Sequence, residues 1–123
     1  MNTFLLVGAI NAFLAVAFGA FGAHILEGKL DEKYINTWQT GVTYQMFHAI
    51  GLLVIGVLSG NLSVNSLLSW SGWLMISGIL LFSGSLYILS LTKIKILGAI
   101  TPLGGVSFLI AWVLLMIVAV KAF

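Results

Sequence analysis

Two polar side chains, Gln45 and His48, lie within a largely apolar segment that runs from residue 38 to residue 60. Their spacing of three residues places both on one face of a helix. Polar groups at membrane depth are costly, and they normally face the interior of a helix bundle, a cavity or one another. Because an imidazole has an unperturbed pKa of about 6.5, His48 could change its charge at physiological pH. The pair therefore permits a proton-sensing or substrate-binding pocket inside a membrane.

Three further residues could complete such a polar pocket. Tyr44 precedes His48 by one helical turn, Asn11 lies deep in another apolar segment, and Ser85 lies in a third. The alternative is structural, because interhelical hydrogen bonds worth about 0.6 kcal/mol are common in membrane bundles and imply no activity. We favour this structural interpretation, in which His48 is a neutral imidazole that bonds across helices.

The sequence predicts no catalytic residue and no metal site. His24 lies about 10 Å from His48 by helical rise, and two histidines without further ligands do not make a zinc site. The pairs Gly19/Gly22 and Gly104/Gly105 lack the lysine and the strand-to-helix context of a phosphate-binding loop. A serine nucleophile needs a nearby base, and Ser85 has none in the sequence. We therefore expect no cofactor, and the sequence favours a non-enzymatic protein over an enzyme.

The composition requires lipid as the solvent for most of the surface. Hydrophobic residues make up 61% of the chain and charged residues 7%, with a mean hydropathy of +1.19, whereas soluble domains carry about 25% charged residues. Five scattered lysines, without any arginine, do not form the basic face that nucleic-acid binding needs. The absence of cysteine excludes disulfides and thiolate metal sites.

Four apolar segments are long enough to cross a bilayer as helices, because about 20 residues span the hydrocarbon core. A helical fold is preferred over a barrel because the apolar runs do not alternate with polar residues. The first span is expected to be retained, since no Lys or Arg precedes it as in a signal peptide. We predict an all-α, single-domain membrane protein, a compact bundle of two hairpins with spans over 4–23, 41–59, 67–91 and 102–120.

Small residues recur along the first span at alternating steps of four and three. Such a stripe lets another helix backbone approach closely, which is the usual means of association inside a membrane. Gly78 has the same role in the third span, where it lies seven residues from Ser71 and from Ser85. The predicted packing residues of the first span are Gly8, Ala12, Ala15, Gly19 and Gly22.

The segment over residues 28–39 carries an apolar stripe opposite its charged residues. It is predicted to form an amphipathic turn or two at the level of the lipid headgroups, with Tyr34 and Trp38 as interface anchors. A plain solvated loop is the alternative, because the stretch is short for an independent helix. Trp70 and Trp73 are predicted to anchor the start of the third span in the same way.

The distribution of lysines predicts the orientation of the chain. The first and third connections carry four of the five lysines, and only Lys121 lies at the opposite side. Positively charged connections stay in the cytoplasm. We therefore predict that both termini lie outside the cell.

Four sequence blocks carry a family likeness. They are GAFGAHIL at 19–26, YQMFHA at 44–49 with Trp38 before it, LFSGSLY at 81–87, and ITPLGG at 100–105 with Trp112 after it. With these blocks in this order, the chain resembles the YwdK/YgdD-like family of small integral membrane proteins, a family of unknown function. The resemblance implies a four-helix protein of a bacterial cell membrane, and it brings no established activity or catalytic residue.

Three functions remain open from the sequence. The first is a non-enzymatic membrane component that assembles with a second copy or another membrane protein, or that interacts with lipid. The second is an oligomeric transporter or channel for protons or a small solute, using the face of Gln45 and His48. The third is an enzyme acting on a lipid or quinone, which has the least support because no carboxylate lies within a predicted span.

Overall fold

A computed structural model describes residues 1–60 and 64–123 of the protein. Each helix begins and ends near a charged or polar connection and carries a long apolar run between its ends. The predicted all-α fold is confirmed: within the described residues the chain forms four helices long and apolar enough to cross a membrane, Thr3–Leu26, Glu32–Leu58, Asn65–Thr92 and Lys95–Ala122.

The first and third helices each contain one wider, π-helical turn, whereas the second is α-helical throughout. Such turns insert one extra residue into a helix and are frequent at functional sites. They occupy Phe18–Gly22 and Ile79–Ser83. The fourth helix opens with a 3-10 turn over Lys95–Ala99 and continues as an α-helix from Thr101, with proline in its first turn.

Local caps fix the ends of these helices. The Asn2 side chain accepts a hydrogen bond from Leu5 N at 3.1 Å and donates one to the carbonyl of Gly56 at 2.7 Å. It therefore caps the first helix and joins it to the second. Lys93 ends the third helix in the left-handed conformation, with φ of 61°.

Two hairpins meet along the second and third helices. The first helix packs along the second, the third packs along the fourth, and the second helix also contacts the third. The core lies where the second, third and fourth helices meet. Its fully buried members are Leu52, Ile55, Leu68, Met75, Ala111 and Val118.

The small residues of the first helix lie mostly against the second helix. A Cβ on Gly8 would meet the Ala49 carbonyl oxygen at 3.0 Å, and one on Gly22 would meet the Trp38 ring at 2.8 Å. Gly19 faces Val42, Ala15 is buried, and Gly78 of the third helix lies against Phe108. Ala12 differs, because it lines a shallow outer groove beside Phe13 and Phe21.

The structure differs from the prediction at residues 28–39. No separate interfacial segment exists there, because residues 32–39 form the first turns of the long second helix. Its apolar stripe packs on the bundle, so Trp38 is only 8% exposed and is not an outward-facing anchor. Tyr34 is partly buried near the ammonium groups of Lys33 and Lys93. Trp70 and Trp73 are exposed on the outer surface.

Candidate functional site

His48 lies inside the bundle with both ring nitrogens hydrogen-bonded. Its Nδ1 lies 2.7 Å from the Tyr44 carbonyl oxygen, one turn earlier on the same helix. Its Nε2 lies 3.0 Å from the indole nitrogen of Trp112 on the fourth helix. The ring also stacks on Phe108, with 3.5 Å between ring centroids and 6° between planes.

These contacts determine the tautomer of His48. An indole N–H can only donate a hydrogen bond, so Nε2 must be the acceptor. The ring proton therefore lies on Nδ1 and is donated to the Tyr44 carbonyl. A neutral imidazole satisfies both bonds, whereas a protonated one would lose the bond from Trp112. The arrangement is that of a structural histidine linking two helices.

Gln45 connects three helices through a separate network. Its amide nitrogen donates to the Asn11 side-chain oxygen at 2.9 Å, and its side-chain oxygen accepts from the Tyr87 hydroxyl at 2.6 Å. The Asn11 amide donates in turn to the carbonyl of Val7. Both ends of the Gln45 amide are thus satisfied within the chain.

An aromatic cluster surrounds Tyr87, the partner of the Gln45 side-chain oxygen. The rings of Phe18, Trp38 and Tyr87 lie 4.6 to 5.8 Å apart between centroids. The Trp38 indole donates to the carbonyl of Phe18, which lies in the first π-helical turn. The Ser83 hydroxyl, at the end of the second π-helical turn, donates to the carbonyl of Gly41. Both π-helical turns are therefore hydrogen-bonded to the second helix within one helical turn, at Trp38 and Gly41.

The five residues predicted to form one pocket divide among separate contacts. Gln45 and Asn11 are hydrogen-bonded to each other. His48 instead pairs with Trp112, and Ser85 bonds to Thr101 at 2.6 Å between the third and fourth helices. The Tyr44 ring turns outward and lies 4.4 Å from the ring of Phe82.

Two partners were not identified from the sequence. Trp112 lies 64 residues from His48, and nothing in the apolar run around it marks it as the partner of a histidine. Tyr87 lies 42 residues from Gln45, and the apolar run around it does not mark it as the partner of an amide. The sequence indicates only that partners exist, because a buried imidazole and a buried amide both require hydrogen-bond partners.

An open furrow separates the second and fourth helices on the outer side of His48. It comprises two adjoining cavities of ≈ 580 and ≈ 640 Å³ that share Thr43, Phe47 and Trp112. We call it the interhelical furrow. Pro102 and Leu115 mark its ends on the fourth helix and are about 20 Å apart by helical rise. Its aromatic lining consists of Tyr44, Phe47, His48, Phe82, Phe108 and Trp112.

The described residues contain no cluster of three or more His, Asp or Glu that could hold a metal ion. No buried side-chain nitrogen or oxygen among them lacks a hydrogen-bond partner. The buried polar groups beside the furrow are thus bonded within the chain, and the surface that the furrow offers a ligand is mainly aromatic and aliphatic.

Comparison with known proteins gives consistent matches. A family profile described as a protein of unknown function (DUF423) matches residues 18–105. The UPF0382 membrane protein YwdK of Bacillus subtilis is 59% identical over 121 residues, which cover 98% of each chain. A UPF0382 membrane protein of Staphylococcus epidermidis is 56% identical over the same share of each chain.

A third relative extends the same likeness. The UPF0382 membrane protein of Staphylococcus saprophyticus is 54% identical over 117 residues, or 95% of this chain and 96% of the relative. No solved structure matches the chain. The names of these relatives give a membrane location in bacteria and state no activity.

Proposed function

The chain belongs to the DUF423 family of membrane proteins of unknown function, and we propose that it acts without catalysis by holding an apolar lipid in the interhelical furrow. Ligand sites are concave and mostly apolar, with few polar groups. The furrow has this character and lies on the outer side of two apolar helices. In a bilayer, its open side would admit a lipid laterally.

The observation that carries the proposal is the bond between His48 and Trp112. These are the nitrogen-bearing side chains of the furrow, and their facing nitrogens bond to each other across 3.0 Å. A substrate that bonded to either of these nitrogens would have to break this bond. An apolar chain lying over the two rings would leave it intact.

Assembly with a second copy has weaker support. The sequence supports assembly through small-residue faces on the first and third helices. Gly8, Gly19 and Gly22 of the first face pack against the chain's own second helix, and Gly78 of the third helix packs against Phe108 of the fourth. Transport through the face of Gln45 and His48 also has weaker support, because both side chains are hydrogen-bonded inside the bundle.

Photolabelling tests the proposed function. The protein is reconstituted in phospholipid vesicles that contain a phospholipid with a diazirine on one acyl chain, and labelled residues are mapped by mass spectrometry. We expect several-fold more label on Val106 and Leu109 of the furrow than on Phe13 and Val16 of the first helix, although all four are exposed. Equal labelling of the two surfaces would contradict the proposal.

A further inference from the structure

We propose that the lipid favoured by the interhelical furrow is a neutral prenylated quinone, whose flat ring lies against the aromatic wall near Tyr44. This inference rests on the proposed function and specifies its ligand class. It concerns binding alone and includes no electron transfer. Three properties of the furrow carry it: its rings, its lack of charge and one hydroxyl group.

The wall near Tyr44 is aromatic rather than aliphatic. Tyr44 and Phe82 lie 4.4 Å apart between centroids, Phe82 and Phe108 lie 5.7 Å apart, and Phe108 stacks on His48. An acyl chain needs only an apolar surface. A planar ring gains additional energy from stacked or edge-to-face contacts with such rings, so the wall favours a ligand that carries one.

The charge of the furrow matches a neutral ligand. Among the described residues, no Asp, Glu, Lys or Arg lines either of its two cavities. The headgroup of a phospholipid carries a phosphate, which would find no cationic partner inside the furrow. A quinone ring is uncharged and can enter the furrow together with its tail.

Tyr44 supplies a hydrogen-bond donor at this wall. Its hydroxyl makes no hydrogen bond within the described part of the chain, and the residue is 41% exposed. A tyrosine hydroxyl in an apolar environment normally finds a partner. A quinone carbonyl is an acceptor that fits this donor, while the length of the furrow, about 20 Å by helical rise, accommodates part of a prenyl tail along the fourth helix.

Gly105 allows the furrow to be filled without disturbing the core. It lines the furrow, and a Cβ there would come no closer than 4.0 Å to Phe82. Gly105→Leu therefore places an aliphatic side chain in the cavity. Gly98→Leu is the matched control, because Gly98 also lies in the first half of the fourth helix. It has open space around its Cβ position, and it does not line the furrow.

Competition for the photolabel tests the inference. Vesicles that contain the diazirine phospholipid are titrated with a prenylated naphthoquinone or with the prenyl alcohol of the same tail length, which lacks the ring. We expect the quinone to reduce labelling of Val106 and Leu109 at a concentration at least tenfold lower than the alcohol. Tyr44→Phe should weaken the quinone about fivefold, as the loss of one hydrogen bond implies, and leave the alcohol unchanged.

The outcomes separate the inference from the proposed function. Equal competition by quinone and alcohol in a furrow that is labelled would overturn the quinone and leave the lipid site standing. A furrow without preferential labelling would overturn both. If the quinone reduced labelling of Val106 and Leu109 equally in Gly105→Leu and in Gly98→Leu, the quinone would bind elsewhere and the inference would be overturned.

Discussion

The indole N–H of Trp112 donates a hydrogen bond to Nε2 of His48 across 3.0 Å, and this bond joins the fourth helix to the second. His48 is 3% exposed, so a missing partner would leave a ring nitrogen unsatisfied in an apolar interior. Among the described residues, no other side-chain hydrogen bond joins positions so far apart in the sequence. The stability of the bundle should therefore depend on it.

Trp112→Phe should destabilise the folded protein by about 1–3 kcal/mol, because it removes the donor and leaves a buried acceptor unpaired. The free energy of unfolding can be measured in mixed micelles by titration with a denaturing detergent. Trp73→Phe is the matched control, since Trp73 is 53% exposed and makes no side-chain hydrogen bond in the described part of the chain. Equal stability of the two variants would contradict a structural role for the His48 contact.

Tyr87→Phe and Gln45→Met should show non-additive effects on the same unfolding free energy. The Tyr87 hydroxyl donates to the Gln45 side-chain oxygen, and a double-mutant cycle isolates that pair. We expect a coupling of about 0.5–1.5 kcal/mol, within the range of hydrogen bonds between membrane helices. The cycle of Tyr44→Phe with Gln45→Met serves as the control, and a coupling as large there would show that the effect is not specific to the bond.

Gly56→Ala should destabilise the protein by about 1–3 kcal/mol, the usual cost of overpacking. A Cβ at this position would lie 2.7 Å from the backbone nitrogen of Leu5. Backbone cannot rotate away, so the first and second helices would have to separate. Gly98→Ala has open space and should be neutral or slightly stabilising, because alanine is the better helix former. Thermal melting of both variants in one detergent gives the comparison, and equal melting temperatures would contradict it.

The orientation follows from the lysines and stays a prediction. The chain contains no cysteine, so single-cysteine variants can be labelled without a background. We expect Phe123→Cys to react with a membrane-impermeant maleimide in intact cells, and Lys29→Cys to react only after permeabilisation. Both positions are exposed. The reverse pattern would place both termini in the cytoplasm.

The four helices could be predicted because a bilayer sets a minimum length for an uncharged segment. The start of the second helix could not. Residues 32–39 mix charged and apolar side chains, which suits a solvated loop or a separate interfacial turn equally well. In the structure they belong to the second helix, and Trp38 packs on Phe18 and Tyr87. The π-helical turns leave no periodic signal either, because each adds a single residue.

The candidate site could be predicted only in part, and the reason is physical. In a soluble protein, hydropathy distinguishes the buried face of a helix from the exposed face. Both faces of a membrane helix are apolar, so hydropathy does not identify which neighbouring helix a side chain contacts. Gln45 and Asn11 are brought together because two amides in lipid must find partners. The partner of His48 depends on how the fourth helix is rotated, and the apolar run around Trp112 does not specify that rotation.

The central claim is that the interhelical furrow holds a lipid, and photolabelling of Gly105→Leu beside Gly98→Leu tests it most directly. The two variants have the same length and charge, and each adds one leucine side chain. Only the leucine at position 105 fills the furrow. We predict that label on Val106 and Leu109 falls at least fivefold in Gly105→Leu and stays at the wild-type level in Gly98→Leu, with label on Phe13 unchanged in both. An equal yield on the furrow residues of the two variants would contradict the claim.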